Sequence, residues 1–248
     1  VKPKEIPLRL EGSVLASRTL SKEDLTQYRG KGYHIEEGVL SKANCVALTE
    51  LSIAACARYP WDYLPWMQPH RSSNPFLAIL KHPRIVSIAE QLVGGSIWGL
   101  QSTWYHGAPG TSPFNLHQDN YLVKAQDPSA FVSAWCAMQD VTEEMGGLVG
   151  YPGSQVEPIL PQVEMEIPGR HQDPNGARYA VIPPPQYPRV ALNTPRGAVV
   201  FMHSHFIHGS GANTTDGWRR ALLLTYIRQG ETFRAGNRAK REAVDVYS

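Results

Sequence analysis

Phe114-Asn115-Leu116-His117-Gln118-Asp119-Asn120 is the stretch around which the rest of the chain is organised. Side chains of an extended strand alternate between its two faces, so a strand here would put His117 and Asp119 on the same side. An imidazole and a carboxylate projecting together form half of a metal site. A histidine bonded to a carboxylate on a sheet surface is the plainer reading of the same tripeptide. A partner is available in Phe201-Met202-His203-Ser204-His205-Phe206-Ile207-His208-Gly209-Ser210-Gly211. There His203 and His205 share one strand face, while His208 lies just past the strand end. Spacing does not choose among the three.

Working outward, the text on both sides of the first motif has the character of strands. From residue 96 onward, short runs rich in aromatic and β-branched residues are bounded by Gly, Pro and Asn. Strands are expected at 96–105, 131–139, 190–192, 198–205 and 219–227. Before them the chain reads as helical. Ser21 caps a short helix ended by Gly30-Lys31-Gly32, and 33–35 reads as a strand. Ser41 caps a longer helix with a stripe of Val46, Leu48, Leu51 and Ala55. Residues 60–75, dense in proline and aromatics, hold no regular element, and helical text resumes over 76–92 up to Gly94-Gly95. Helices first and strands afterwards predict an α+β chain. Its core is expected to be a jelly roll or related double-sheet barrel (a cupin-like double-stranded β-helix) flanked by N-terminal helices. The His-x-Asp strand would open onto the barrel cavity.

The 248 residues are expected to form a single domain, 1–248, with an N-terminal arm over 1–19. Residues 155–189 form a connection longer than compact domains usually keep without a functional reason, and are expected to be a lid over the barrel mouth. Apolar residues make up 42% of the chain, enough to fill a large core. A formal net charge of +2 argues for neither nucleic acid nor an anionic membrane surface. No apolar run has the length of a membrane span, and Val1-Lys2-Pro3-Lys4-Glu5 does not read as a signal peptide. Cys45 and Cys56 would lie roughly 16 Å apart on one helix, too far to bridge. Free thiols suit a reducing compartment, so a cytoplasmic protein acting on a small molecule is expected. Oligomeric state is not readable.

Two histidines and one carboxylate that leave coordination positions open are the arrangement of non-haem Fe(II) oxygenases. The ordered pieces that carry it resemble one family. His117-Gln118-Asp119 is followed by Glu144-Met145-Gly146-Gly147-Leu148 and Tyr151-Pro152-Gly153-Ser154. Then come Gly197-Ala198-Val199-Val200-Phe201, His208-Gly209-Ser210-Gly211, Asn213 and Trp218-Arg219-Arg220. Together they resemble the phytanoyl-CoA dioxygenase (PhyH-like) family of Fe(II)/2-oxoglutarate oxygenases, over about residues 40–228. The resemblance implies His117, Asp119 and His208 as iron ligands, and Fe(II), 2-oxoglutarate and O2 as cofactor and cosubstrates. It implies Arg219, eleven residues past His208, as the group that holds the distal carboxylate of 2-oxoglutarate, with Ser210 beside it. Trp135, Gln101 and Phe114 match positions that line such a cosubstrate pocket.

The chemistry of the residues agrees. A planar guanidinium holds a carboxylate through two parallel hydrogen bonds, and strand alternation lets only one of Arg219 and Arg220 enter the barrel. The expected activity is oxidation, most simply hydroxylation, of an unactivated C–H bond with release of succinate and CO2. A zinc hydrolase on the same triad would need a general base that no nearby Glu supplies, and would leave Arg219 without a purpose. A non-catalytic jelly-roll binding module is the third reading. For substrate contacts the candidates are Arg71, Lys124 and Arg170 for an anionic group, and Trp104 and Tyr121 for a ring, with Trp66, His171 and Arg178 near the same mouth.

Overall fold

The computed structural model describes residues 16–56, 65–165 and 178–248. Helix α1 (Lys22–Lys31) begins where its cap is expected. The Ser21 hydroxyl accepts from the Asp24 N–H at 3.0 Å, and the Asp24 carboxylate accepts from the Ser21 N–H at 2.9 Å. Strand β1 (Tyr33–Glu36) and helix α2 (Lys42–Cys56) follow. Helix α2 turns a different face inward from the expected stripe: Asn44, Cys45, Leu48 and Ser52 are buried, whereas Val46 is exposed. Small and polar side chains occupy the inner face, so apolar spacing alone missed it.

The helical run expected over 76–92 is two helices, α3 (Asn74–Leu80) and α4 (Pro83–Val93). Pro83 has no amide to donate and holds His82 at φ −60°, ψ 119°, outside helical geometry. Within 60–75, expected to be irregular, β2 (Trp66–Met67) pairs with β3 (Ile97–Gly107) and a 3-10 turn spans Pro69–Arg71.

The larger sheet runs in the order β1, β9 (Val199–His203), β4 (Phe131–Ala137), β11 (Arg219–Arg228), β3 and β12 (Val244–Asp245), with β2 also on β3. The smaller is β10 (His208–Ser210), β5 (Leu148–Gly150) and β8 (Val190–Ala191). All the strand pairs are antiparallel. A separate hairpin joins β6 (Gln162–Glu164) to β7 (Tyr179–Val181). The five expected strands appear as β3, β4, β8, β9 and β11. The fold is the predicted α+β jelly roll.

Alternation sorts the larger sheet into two faces. Leu222, Leu224 and Tyr226 of β11 pack against the helical layer, and the Tyr226 hydroxyl donates to the Leu80 carbonyl at 3.0 Å. Ala221 instead belongs to a second apolar cluster with Trp135, Met202, Leu148 and Phe206. That inner face carries the site. Cys45, Cys56 and Cys136 are free thiols. Among the described residues no helix is long and apolar enough to cross a membrane.

Candidate active site

His117 and His208 face each other across an isolated antiparallel bridge that extends the smaller sheet. Their backbones exchange two hydrogen bonds, at 2.8 and 3.1 Å. Asp119 is not on an extended strand with His117, as the alternation argument expects. Its φ of −58° and ψ of −33° are helical, and it leads into the single turn α5 (Asn120–Val123). The turn brings the carboxylate back toward the imidazoles. Asp119 Oδ1 lies 3.3 Å from His117 Nε2 and 3.8 Å from His208 Nε2. One ligand atom from each residue lies within 4.8 Å of the others.

Each imidazole is oriented through its other nitrogen. His117 Nδ1 is 2.8 Å from the Asn115 carbonyl, and His208 Nδ1 is 2.9 Å from the Phe206 carbonyl. A carbonyl only accepts, so Nδ1 carries a proton and each Nε2 faces the common point, as the nitrogen that a bound ion would take. Burial holds His208 down to about 4, with the like charge of His117 adding to it, so this ring is neutral near pH 7. Burial would raise the Asp119 carboxyl, but the two histidines and the Ser133 hydroxyl prevail and hold it well below the usual carboxylate range. Ser133 of β4 donates to Asp119 Oδ2, leaving Oδ1 toward the histidines.

His203 and His205 are committed elsewhere. His203 Nδ1 accepts from the His205 N–H at 3.1 Å, and His205 Nδ1 meets the Glu157 carbonyl at 2.8 Å. The glycine after His208 has a steric reason: a Cβ at position 209 would lie 2.5 Å from the Phe114 carbonyl oxygen.

The triad opens onto a cavity of about 610 Å³ between the sheets. Arg219 enters it from the start of β11 and is 3% exposed. Gly107, its register partner on β3, gives it room: a Cβ there would sit 3.2 Å from Arg219 Nε. Burial pulls the guanidinium down to about 10, and the nearby Tyr105 phenol pushes the other way. Arg220 points to the other face, with its guanidinium 5.3 Å from the centre of the Trp218 ring. Ser210, Trp135, Gln101 and Phe114 all line the cavity. The Ser210 hydroxyl accepts from the Phe114 N–H at 3.0 Å. Gln101 donates to Thr103 Oγ1 at 2.8 Å, and its own Oε1 is buried without a partner.

The substrate candidates fare less well. Tyr121 lines the cavity. Trp104 does not: alternation turns it to the helical face of β3, where it packs edge-on against Phe76 at 5.5 Å. Trp66 joins the same cluster. Arg71 is exposed and reaches the Lys240 carbonyl and, at 3.5 Å, Glu242. Lys124 is exposed in the left-handed conformation that ends α5. Arg178 pairs with Glu164 at 2.7 Å on the surface. Arg170 and His171 lie outside the described residues.

The described part of 155–189, the segment expected to be a lid, contains the β6–β7 hairpin. Val181 N–H donates to the Leu116 carbonyl at 2.9 Å, and the Asn115 amide donates to the Tyr179 carbonyl at 3.0 Å. Gln162 and Tyr179 line the cavity from this hairpin. Sequence reasoning missed Ser133 and Thr225, although both share the inward parity of Trp135 and Arg219. It also missed the C-terminal segment, where Arg234, Ala239 and Arg241 complete the cavity wall.

Residues 9–221 match the family described as phytanoyl-CoA dioxygenase (PhyH). The peroxisomal phytanoyl-CoA dioxygenase of Rattus norvegicus is 25% identical over 221 residues, covering 87% of this chain. That match spans only 64% of the rat protein's length. Among solved structures, the non-heme alpha ketoglutarate dependent carbocyclase SnoK from nogalamycin biosynthesis is 27% identical. Its TM-score is 0.71, over 88% of each chain. The epimerase SnoN, solved with Fe3+, alpha ketoglutarate and nogalamycin RO, has a TM-score of 0.70 at 21% identity, over 86% of this chain and 85% of its own. At that identity SnoN speaks for the fold alone.

Proposed function

Since this chain belongs to the phytanoyl-CoA dioxygenase family, we propose that it is a non-haem Fe(II)- and 2-oxoglutarate-dependent oxygenase acting on a small organic molecule. One observation carries the reading. Three ligand atoms converge within 4.8 Å, and the buried cation Arg219 lines the same cavity. The donor set fits the ion: two Nε2 lone pairs, each fixed by a committed Nδ1–H, and one carboxylate oxygen leave open coordination positions.

His117, Asp119 and His208 hold the metal. Arg219 clamps the far carboxylate of 2-oxoglutarate through its fork of N–H donors, with Ser210 beside it. Trp135, Gln101 and Phe114 wall the cosubstrate and exclude water. Iron with 2-oxoglutarate supplies O2 activation coupled to decarboxylation, yielding succinate, CO2 and oxidising power for a C–H bond. Ser133 keeps Asp119 turned so that one oxygen serves the ion. A reducing compartment such as the cytoplasm suits the three free thiols. SnoK is named as a carbocyclase, so hydroxylation is the simplest member of a wider set of outcomes.

A hydrolytic zinc reading lacks its base, because Asp119 is the only carboxylate on the cavity lining among the described residues. The test is succinate release from 2-oxoglutarate by anaerobically purified protein given Fe(II) and then O2. Asp119→Ala should abolish it, and unchanged turnover in that variant removes the assignment.

A further inference from the structure

The C-terminal segment past β11 returns to the cavity on the Asp119 side, beyond residue 221, where the family match ends. It is tied there from two directions. Gln68, beside β2, donates to the Ala239 carbonyl at 2.7 Å, and the Arg234 N–H donates to the Val123 carbonyl at 2.7 Å. It brings Arg234 and Arg241 to the wall. Arg241 is 8% exposed, with its Nε buried and unpartnered. Its Nη1 reaches the carbonyls of Leu122, Arg234 and Ala235 at 3.1–3.5 Å. Arg234 donates to the Leu122 carbonyl at 3.0 Å.

No carboxylate among the described residues forms an ion pair with either arginine. Nor does the expected chemistry supply one. A divalent ion and dianionic 2-oxoglutarate offset each other, and the distal carboxylate of the cosubstrate belongs to Arg219. Burying a cation without an anion is costly; Asp119, whose charge reaches Arg241, serves the metal in this reading, so the buried Arg241, with the exposed Arg234 near it, asks for an anion from outside.

A second set of polar atoms faces the same space. Thr225 and Gln101 are register partners on β11 and β3, and both line the cavity. Thr225 Oγ1 and Gln101 Oε1 are buried without partners. Thr225 is also opposite Ser133, the residue that holds Asp119, so this polar floor adjoins the triad. Met67, Val123 and Phe131 add apolar lining to the same cavity.

Building on the oxygenase reading, we propose that the substrate is a carboxylate that also carries an N–H or O–H donor. Arg241 and Arg234 hold its carboxylate, and Gln101 Oε1 and Thr225 Oγ1 receive its donor. The reacting carbon lies between these anchors, over the triad. The strap therefore selects the substrate, in addition to closing the barrel.

The experiment is anaerobic calorimetry on the full chain loaded with Fe(II) and 2-oxoglutarate. The probes are aliphatic and aromatic 2-amino- and 2-hydroxycarboxylates, their primary amides, and matching phosphate monoesters. Carboxylates should bind, with the amides weaker by about tenfold or more. Arg234→Gln, at an exposed position that tolerates change, should weaken carboxylate binding by about ten- to a hundredfold, the range of a charge-assisted hydrogen bond. Thr225→Val, which keeps the shape and removes the hydroxyl, should weaken donor-bearing carboxylates and spare those lacking the donor. Equal binding of acids and amides, wild-type affinity in Arg234→Gln, tighter binding of the phosphate monoesters, or no binding by any carboxylate overturns the proposal. A parallel titration of 2-oxoglutarate into the Fe(II)-loaded protein separates the two levels. If it binds and the probes do not, the substrate inference alone fails. If it does not bind, the oxygenase reading fails as well.

Discussion

Ser133→Ala removes one hydroxyl from a fully buried position and changes little else in volume. In the native protein that hydroxyl donates to Asp119 Oδ2, and Asp119 Oδ1 faces both histidines. A hydrogen bond to a charged acceptor contributes about 1.5–3 kcal/mol net. Outer partners of metal ligands typically shift metal affinity by about 10- to 100-fold, which is about 1.4–2.7 kcal/mol and falls in the same range. Ser133→Ala is therefore expected to raise the Fe(II) dissociation constant by about 10- to 100-fold. The assay is an anaerobic titration against a competing chelator, with the melting temperature of the metal-free protein recorded alongside. Loss of metal affinity should exceed what any drop in melting temperature explains, because the hydroxyl orients a ligand as well as stabilising a strand. An Fe(II) affinity within roughly twofold of wild type would refute the reasoning, since the orienting bond would then contribute less than about 0.5 kcal/mol.

Other consequences are open to measurement. Arg219→Lys keeps the charge but loses the fork, so the KM for 2-oxoglutarate should rise by about ten- to a hundredfold, with Fe(II) affinity nearly unchanged. An unchanged KM would mean that Arg219 does not hold the cosubstrate. Away from the site, buried Glu36 bonds Arg84, Arg18 at 3.2 Å and His34 at 3.1 Å. Burial opposes its ionisation, but Arg84, His34 and Arg18 prevail and lower its pKa from the ordinary 4.5. A depressed carboxyl pKa contributes stability that is present above the unfolded value and lost as pH falls through the folded one. Acid melting curves should therefore fall below about pH 4.5, and Glu36→Gln should melt lower at pH 7 with a shallower acid dependence. Parallel curves for the two proteins would contradict this.

Much of this was legible because strand parity survives translation into structure. Trp135 and Arg219 face inward and Arg220 outward, as alternation requires. The parity rule also had the means to find Ser133 and Thr225, and to reject Trp104, whose even number on β3 assigns it to the helical face. Asp119 does not reach His117 by the strand alternation that points to it in the sequence. Its convergence with His117 depends on a helical backbone at position 119, which no period of two describes. Apolar periodicity failed in α2, where Asn44 and Ser52 hold the buried face. The C-terminal arginines were invisible because their role depends on a strap that crosses back over the barrel, more than a hundred residues in sequence from the α5 carbonyls it meets.

Residues 117, 119 and 208 are proposed to bind iron together with 2-oxoglutarate, and that binding has a direct spectroscopic signature. Adding Fe(II) and then 2-oxoglutarate to the metal-free protein without oxygen should produce the visible absorption of a chelated ferrous 2-oxo acid, saturating at one equivalent of each. His208→Ala, which removes one imidazole from the point of convergence, should abolish it. Absence of the band in the wild-type protein, or its full persistence in His208→Ala, would contradict the assignment.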